Sequence, residues 1–343
     1  MSYAYVVDAC IQNSWNVGEV MEKIFFYGRY KRNTGPQNVN RALIDLKDSE
    51  LLYVRFSNKY IRGVETFLKS KLCKCVLISG ICTKRSLDLI CKNNKNVCYL
   101  MHGCLEYEND INNEGLSEEL IGLEKEILEK SSKIICVSQY YAQWVADRYP
   151  IYKDKIYYAN NGLVLEDRKI QRKEEYSVAV SGGNRPIKNN DKVYKAIKKL
   201  GQEGIKCKLY VFGEVSENGS SLGKDIDIEI CGQLDKDAYY KMLDRISVFV
   251  IDSAVEPFGL VLGDALSCHC SVLVTNNVGA KVTVEPLDKN SVIEDPDDIE
   301  EIAEKIKYLI DNSNYEMLIN NFKEHKTTSM DMLDKIKSIC LQK

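Results

Sequence analysis

The sequence predicts a two-domain α/β protein with parallel strands, and three observations carry that expectation. Short Val- and Ile-rich runs alternate with segments of helical spacing from Lys23 onward, the pattern of repeated β-α-β units. The chain has 343 residues and is 45% hydrophobic, enough for two real cores. The polar run EDRKIQRKEE, residues 166–175, is the best linker in the chain. The domain boundary is therefore placed there, with residues 1–165 before it.

In the first domain, residues 1–22 are ambiguous and suit either a strand or a helix ahead of the fold. Lys23 to Tyr27 reads as a strand. It feeds a loop, Asn33 to Asn38, and then the helical run RALIDL. Thr34 and Gln37 have the spacing of a capping box, and Pro36 fits a first helical turn because its missing N–H would have been unpaired there. LLYVRF is a strand, GVETFLKS a helix, CVLIS a strand, Ser86 to about Asn93 a helix and VCYLM a strand. That last strand ends in His102-Gly103-Cys104, where a histidine at a buried strand's exit is placed to donate a hydrogen bond or carry a proton. The acids after it, Glu106, Glu108 and Asp110, read as a loop, with no reason to choose among them. Leu116 to Lys130 is an amphipathic helix, KIICVS a strand, and QYYAQWVADRYP a helix closed by Pro150. KIYYANNGL is a strand followed by Asn160-Asn161-Gly162, residue types suited to a left-handed exit turn.

The second domain starts with the strand in YSVAVSGG and a loop carrying Arg185 and Lys188, followed by a helix. KCKLYVFG is a strand, and DIEICGQL a strand that turns at Gly232. SVFVI and SVLVT flank a segment that opens with Glu-Pro-Phe-Gly and continues with helical spacing, one β-α-β unit. Its loop lies at the carboxyl end of the first strand, where open α/β sheets bind ligands, and a helix beginning near Phe258 would offer unpaired N–H groups to an anion. Glu256 and Asp264 stand eight apart, which puts Asp264 two turns into that helix, about 12 Å along its axis. Such a pair suits the two ends of a long polyhydroxylated ligand. TNNVGAKV reads as a loop with a short helix, SVIED as the last strand, DDIEEIAEKIKYLIDN as a helix, and the tail from Tyr315 as helical.

The run Glu256-Pro-Phe-Gly-Leu-Val-Leu-Gly-Asp264 resembles the E-x7-E signature of the retaining GT-B glycosyltransferases of family 4, with Asp264 in place of the second glutamate. The resemblance implies two Rossmann-like domains facing an interdomain cleft. Residues 166–320 would be the nucleotide-sugar domain, and a final helix within 321–343 would cross back to the first domain. It further implies that Glu256 bonds the donor sugar's hydroxyls, and that the backbone at Phe258, Gly259 and Leu260 approaches sugar and diphosphate. Asp264 would hold the ribose, one methylene shorter in reach than the commoner glutamate. Arg185 and Lys188 resemble the family's paired cations on the donor diphosphate. Gly35 matches a glycine-containing loop that faces the donor in the family, Gly232 would border the nucleotide base as the corresponding turn does there, and His102 lies where the family often places a histidine near donor sugar and acceptor. The expected donor is UDP-linked, although no residue here names the base, and the acceptor a glycan or lipid-linked hydroxyl. No cofactor is expected. The alternative is a non-catalytic nucleotide-sugar or glycan-binding protein of the same fold.

Composition narrows the rest. Up to Leu100 there are 16 Lys and Arg against 8 Asp and Glu, and beyond it 31 against 42. The basic residues Arg29, Lys31, Arg32, Lys59, Arg62, Lys69, Lys71 and Lys74 interleave with Phe25, Phe26, Tyr30 and Tyr60, which suits an anionic membrane face or a diphosphate-lipid acceptor. Nucleic acid is not expected, because no binding motif accompanies the charge. No G-x-G-x-x-G follows a strand, which argues against a dehydrogenase. The 13 cysteines are odd in number and many lie in strands or helices, so they read as reduced core thiols. Cys73-x-Cys75 and Cys268-x-Cys270 lack the gap of zinc knuckles, and Asp225-x-Asp227 reads as solvent-facing acids of an alternating strand, so no metal site is expected. No apolar run approaches a membrane span and the first residues lack a signal peptide's pattern, giving the expectation of a cytoplasmic protein, at most peripheral on the inner membrane face.

Overall fold

The computed structural model describes residues 20–56, 58–169, 172–215 and 225–342, so nearly all of the ambiguous stretch 1–22 lies outside the described residues. The chain forms two units, each built on a six-stranded parallel sheet. The first comprises residues up to Glu106, Gly115–Asn161 and Ser329–Lys343; the second comprises Tyr107–Glu114 and Gly162–Thr328. The expected pair of Rossmann-like α/β folds is what the chain adopts.

In the first unit β1 (Met21–Gly28), α1 (Gly35–Asp45), β2 (Leu51–Tyr53), α2 (Lys59–Leu72), β3 (Cys73–Ser79), α3 (Lys84–Asn93) and β4 (Val97–Met101) succeed one another. After them come α4 (Leu105–Asn112), which from Tyr107 onward belongs to the second unit, and then, in the first unit again, α5 (Glu118–Lys130), β5 (Lys133–Cys136), α6 (Gln139–Arg148) and β6 (Ile156–Tyr158). The strand order is β2-β1-β3-β4-β5-β6, so the chain reverses direction across the sheet between β1 and β3. The strands read as apolar runs because helices cover both faces; Phe25, Phe26, Leu77, Ile78 and Leu100 are fully buried.

Several local expectations for this unit need correction. Thr34 occupies the N-cap of α1 without a side-chain hydrogen bond, and Gln37 Oε1 instead accepts from the Arg32 N–H (2.8 Å), so no capping box forms. Phe25 and Phe26 belong to the core of β1, and Lys69 is buried against Glu65 with its Nζ also donating to the Tyr53 carbonyl (2.8 Å); none of the three belongs to a basic surface. The acids after His102 lie on helix α4 rather than in a loop. None of Asn160, Asn161 and Gly162 takes a left-handed conformation. The stretch is held to the preceding strand and helix, the Asn161 N–H donating to the Val137 carbonyl (3.0 Å) and Asn160 Oδ1 accepting from the Gln139 N–H (3.1 Å).

The second unit runs β7 (Ser177–Ser181), α7 (Asn190–Gln202), β8 (Lys208–Phe212), β9 (Asp227–Gly232), α8 (Lys236–Leu243) and β10 (Val248–Ile251). It continues through α9 (Val261–Ser267), β11 (Ser271–Thr275), β12 (Val292–Ile293), α10 (Ile299–Asp311) and α11 (Tyr315–His325). Its strand order, β12-β11-β10-β7-β8-β9, reverses between β7 and β10. In the polar run after Glu166, Arg168 makes a two-pronged ion pair with Asp244 (2.9 and 3.2 Å). The tail splits: α11 stays with the second unit, and the last helix, α12 (Ser329–Leu341), belongs to the first, packed on β1, β3, β5 and α1.

The described cysteines are all free thiols, most of them buried; Cys10 lies outside the described residues. Among the described residues one group has metal-ligand spacing, the buried sulfurs of Cys75, Cys98 and Cys340, all within 4.8 Å of one another near the starts of β3 and β4. No helix of the described residues is long and apolar enough to cross a membrane.

Candidate functional site

Open α/β sheets bind ligands at the carboxyl ends of strands where the strand order reverses. In the second unit that place lies between β7 and β10, and both strands deliver charged residues to it. The chain leaves β7 through Gly182 and Gly183, both at positive φ (+91° and +64°). A side chain at Gly183 would put its Cβ 1.7 Å from the Glu214 carbonyl oxygen, so only glycine lets the two loops touch. Gly182 has the Lys188 side chain against it, where a Cβ would stand 2.7 Å from Lys188 Cγ. A short 3-10 turn, Pro186–Lys188, then hands over to α7 through Asn189 in the left-handed region, and the buried Asn190 amide donates to the Ser181 and Gly183 carbonyls (3.0 and 2.6 Å). The loop is thus tied down at each end, and Lys188 is aimed by it.

From β10 the chain passes Asp252 and Ser253 to Glu256. The Glu256 N–H donates to the Asn277 carbonyl (2.9 Å) and its carbonyl accepts from the Gly279 N–H (3.0 Å), a one-residue extension of the sheet beside Val278. Its carboxylate pairs with Lys188 and accepts from Ser253 Oγ (3.2 Å). Gly259 has φ +99°, and a Cβ on it would stand 3.1 Å from both Glu256 Cγ and Val278 Cγ1. Phe258 is buried beneath. Arg185 is exposed, its Nε donating weakly to the Gly182 carbonyl (3.4 Å). Glu108 on α4 joins this group: burial raises its pKa, with Arg185 and Lys188 opposing and Glu114 and Glu256 adding to the shift. In the same segment Asn112 Oδ1 accepts from the Ile187 N–H (3.0 Å).

Asp264 stands elsewhere. The helix α9 begins at Val261, not near Phe258, and has seven residues, so Asp264 lies in its first turn rather than two turns in. Its Oδ1 accepts from Tyr240 Oη (2.6 Å) and its Oδ2 from Tyr239 Oη (3.4 Å). Burial raises its carboxyl pKa, and the two phenols pull it back. The Arg168 guanidinium lies 4.5 Å from the centre of the Tyr240 ring. Gly232 ends β9 at φ +63°, its carbonyl accepting from the Gly213 N–H (2.9 Å), which brings the loops after β8 and β9 together. Leu260 is the residue before α9 and is half-buried. Asp225 and Asp227 are exposed, Asp225 paired with Lys198 (2.6 Å).

His102 and Gly35 belong to the first unit. His102 Nε2 lies 2.8 Å from Ser79 Oγ, which donates to Asn40 Oδ1 (2.6 Å), so Nε2 carries the proton toward Ser79. Burial holds its imidazole down at about 4, neutral at ordinary pH. Gly35 opens α1 with nothing near its Cβ position. The glycine that close packing requires is Gly28, where a Cβ would meet Phe26, Ser79 and Asn40 at about 3 Å.

Of the residues expected from the sequence, Lys188 and Glu256 are brought together beside the glycine-bearing loop; Glu108 and Ser253, which join them, and the two tyrosines on Asp264 were not singled out. Glu108 was visible as one of three acids after His102; the tyrosines carried no signal, because their role depends on how α8 lies against α9. Chemically the cluster offers two cations to an anion and a carboxylate to hydroxyls.

Comparison with known proteins gives three findings. Residues 165–325, most of the second unit, match the family described as Glycosyl transferases group 1. No curated protein matches the chain in sequence. Among solved structures, a variant of TarM from S. aureus in complex with Fondaparinux, alpha-GlcNAc-glycerol and UDP superposes with TM-score 0.60 at 17% identity, over 83% of this chain; the chain spans 59% of TarM's length. HepE from Anabaena in complex with UDP and glucose gives TM-score 0.63 at 14% identity, over 92% of this chain and 98% of its own. A glycosyltransferase from Rickettsia africae gives TM-score 0.63 at 14% identity, over 92% and 97%. At such identities the likeness is one of fold.

Proposed function

We propose that the chain is a glycosyltransferase that holds a nucleotide-diphosphate sugar on its second unit and transfers the sugar to an acceptor hydroxyl. The observation that carries the reading is the Lys188–Glu256 pair beside Arg185 at the β7–β10 reversal, inside the stretch matching the glycosyltransferase family. As the glycosidic bond breaks, negative charge grows on the leaving diphosphate, and cations already fixed there stabilise that state more than the ground state. Lys188 on its glycine loop is such a cation. Glu256 faces it as an acceptor for sugar hydroxyls, and their mutual pairing keeps both half-buried charges satisfied when no donor competes for Lys188.

The finer reading follows from the same residues. No carboxylate is assigned as a covalent nucleophile, so transfer with retention proceeds on the front face, the leaving phosphate assisting deprotonation of the acceptor. Two side-chain cations supply leaving-group stabilisation without a metal. UDP is the nucleotide to test first, since TarM and HepE are both seen with UDP. The acceptor is a glycan, lipid-linked where the basic first unit meets an anionic membrane face, and the site of action is the cytoplasmic side.

The test is release of nucleoside diphosphate from a panel of nucleotide sugars by wild type, Glu256→Gln and Lys188→Ala. Turnover is expected in the wild type, with a loss of about 10²–10³-fold for Lys188→Ala and a clear loss for Glu256→Gln. Equal release by wild type and Glu256→Gln would overturn the reading. A donor that raises the melting temperature without being turned over would mark a nucleotide-sugar binding protein instead.

A further inference from the structure

The first unit has its own reversal of strand order, between β1 and β3, and a pocket of about 60 Å³ opens there. Its lining includes Tyr27, Gly28 and Arg29 from the end of β1, Ser79 and Thr83 from the end of β3, and Arg62 from α2. No acid lines it. Neither the Arg29 nor the Arg62 guanidinium has a hydrogen-bond or ion-pair partner among the described residues. Both stand in contrast to Lys69 and Lys74 of the same basic stretch, which are paired with Glu65 and Glu22.

The pocket is built rather than incidental. The imidazole of His102 donates to Ser79, Ser79 to Asn40 Oδ1, and Asn40 Nδ2 to the Arg29 carbonyl (2.7 Å), so a chain of hydrogen bonds crosses the strand ends and fixes the backbone of Arg29. Arg41 on α1 donates to the carbonyls of Tyr30 and Arg32 (3.1 and 2.9 Å), holding the rest of that loop. Gly28 keeps the floor open, since a side chain there would strike Ser79 and Asn40. The hydroxyls of Tyr27 and Thr83 meet at Ser86 Oγ (2.8 and 2.9 Å).

We infer that this pocket binds one small anionic group, a phosphoryl or a carboxylate, of the acceptor. Two guanidiniums without a partner among the described residues, one on the loop fixed through the Arg29 carbonyl and one on helix α2, favour a planar or tetrahedral oxyanion, which they engage by charge-assisted hydrogen bonds. The volume, about that of two water molecules in the liquid, admits such a group. That the anion belongs to an acceptor rests on the proposed transferase function; that the pocket binds an anion does not. Phosphoryl and carboxylate share this chemistry, and they separate an acceptor carrying phosphate from one carrying an acidic sugar.

The experiment is calorimetric titration of the full chain with inorganic phosphate and, separately, with glucuronate. Wild type, Arg29→Ala, Arg62→Ala, the charge-keeping Arg29→Lys and Arg62→Lys, and Lys188→Ala are compared, each also in saturating UDP. Saturable binding of at least one anion is expected, weakened about tenfold or more by each alanine change, less by lysine, and unaffected by Lys188→Ala or UDP. The tighter anion identifies the acceptor's group. No saturable binding, binding indifferent to both alanine changes, or binding lost with Lys188→Ala or displaced by UDP would overturn the inference. If no donor is turned over yet phosphate still binds through the arginines, the transferase reading falls and the anion pocket stands.

Discussion

Asp252, the first residue past β10, is buried with both carboxylate oxygens lacking a hydrogen-bond partner among the described residues. Burial first, then the charges of Asp191, Asp297 and Glu301 against that of Lys192, push its carboxyl up to about 8. An unfolded aspartate releases its proton near 3.8. Between those values the native state holds a proton the unfolded state has lost, so this residue makes stability fall as pH rises from about 4 through about 8. Asp252→Asn keeps the shape and removes the charge. Its urea midpoint is expected to exceed that of the wild type at pH 8 and to match it near pH 4, the gain reaching a few kcal/mol; a constant difference across pH would refute the assignment. At this scale the sequence disclosed residues whose placement is set by their own loop, such as Lys188 and Glu256. It hid residues whose role is set by a distant neighbour. Gln37 has capping-box spacing yet serves the Arg32 N–H, and Asp264 sits at the signature spacing yet has both oxygens engaged by tyrosines.

Among the elements, the β7–α7 connection shows how backbone geometry aims chemistry. Gly183→Ala would meet the Glu214 carbonyl at a distance no Cβ tolerates, in a left-handed conformation besides. A loss of at least about 3 kcal/mol is expected, since strain at positive φ adds to a clash with immovable backbone. Urea unfolding followed by tryptophan-independent circular dichroism measures it, and a loss below about 1 kcal/mol would show that the loop can yield. The strands were legible because burial on both faces demands unbroken Val and Ile runs, as in Val248–Ile251 and Ser271–Thr275. Helix α4 was not, because none of its residues is fully buried and its polar composition looks like a loop. Helix α9 was read too long because its first turn is irregular, with Leu260 before it and no side-chain cap to mark the start.

For the molecule as a whole, the decisive feature is the path of the chain, which leaves the first unit after Asn161 and contributes to it again from Ser329. The helix α12 buries Met332, Leu333, Ile336 and Ile339 in the first unit, and Lys337 pairs with Asp48 (3.0 Å) and Glu50 while Asn96 Nδ2 donates to the Cys340 carbonyl (2.9 Å). Four such side chains contribute about 6–12 kcal/mol of burial, which overlaps the entire stability of an ordinary domain, about 5–15 kcal/mol. The first unit is therefore incomplete until residues 329–341 have been made, whereas the core of the second, around Val180, Ile197, Val250 and Leu273, is closed without them. Ending the chain at Thr328 is expected to abolish slow amide exchange in β1, β3 and β4 while β7, β10 and β11 keep theirs. Hydrogen exchange read by mass spectrometry of peptides from each sheet distinguishes the cases: protection retained in both would mean that α12 covers a core already stable, and protection lost in both that the two sheets unfold as one.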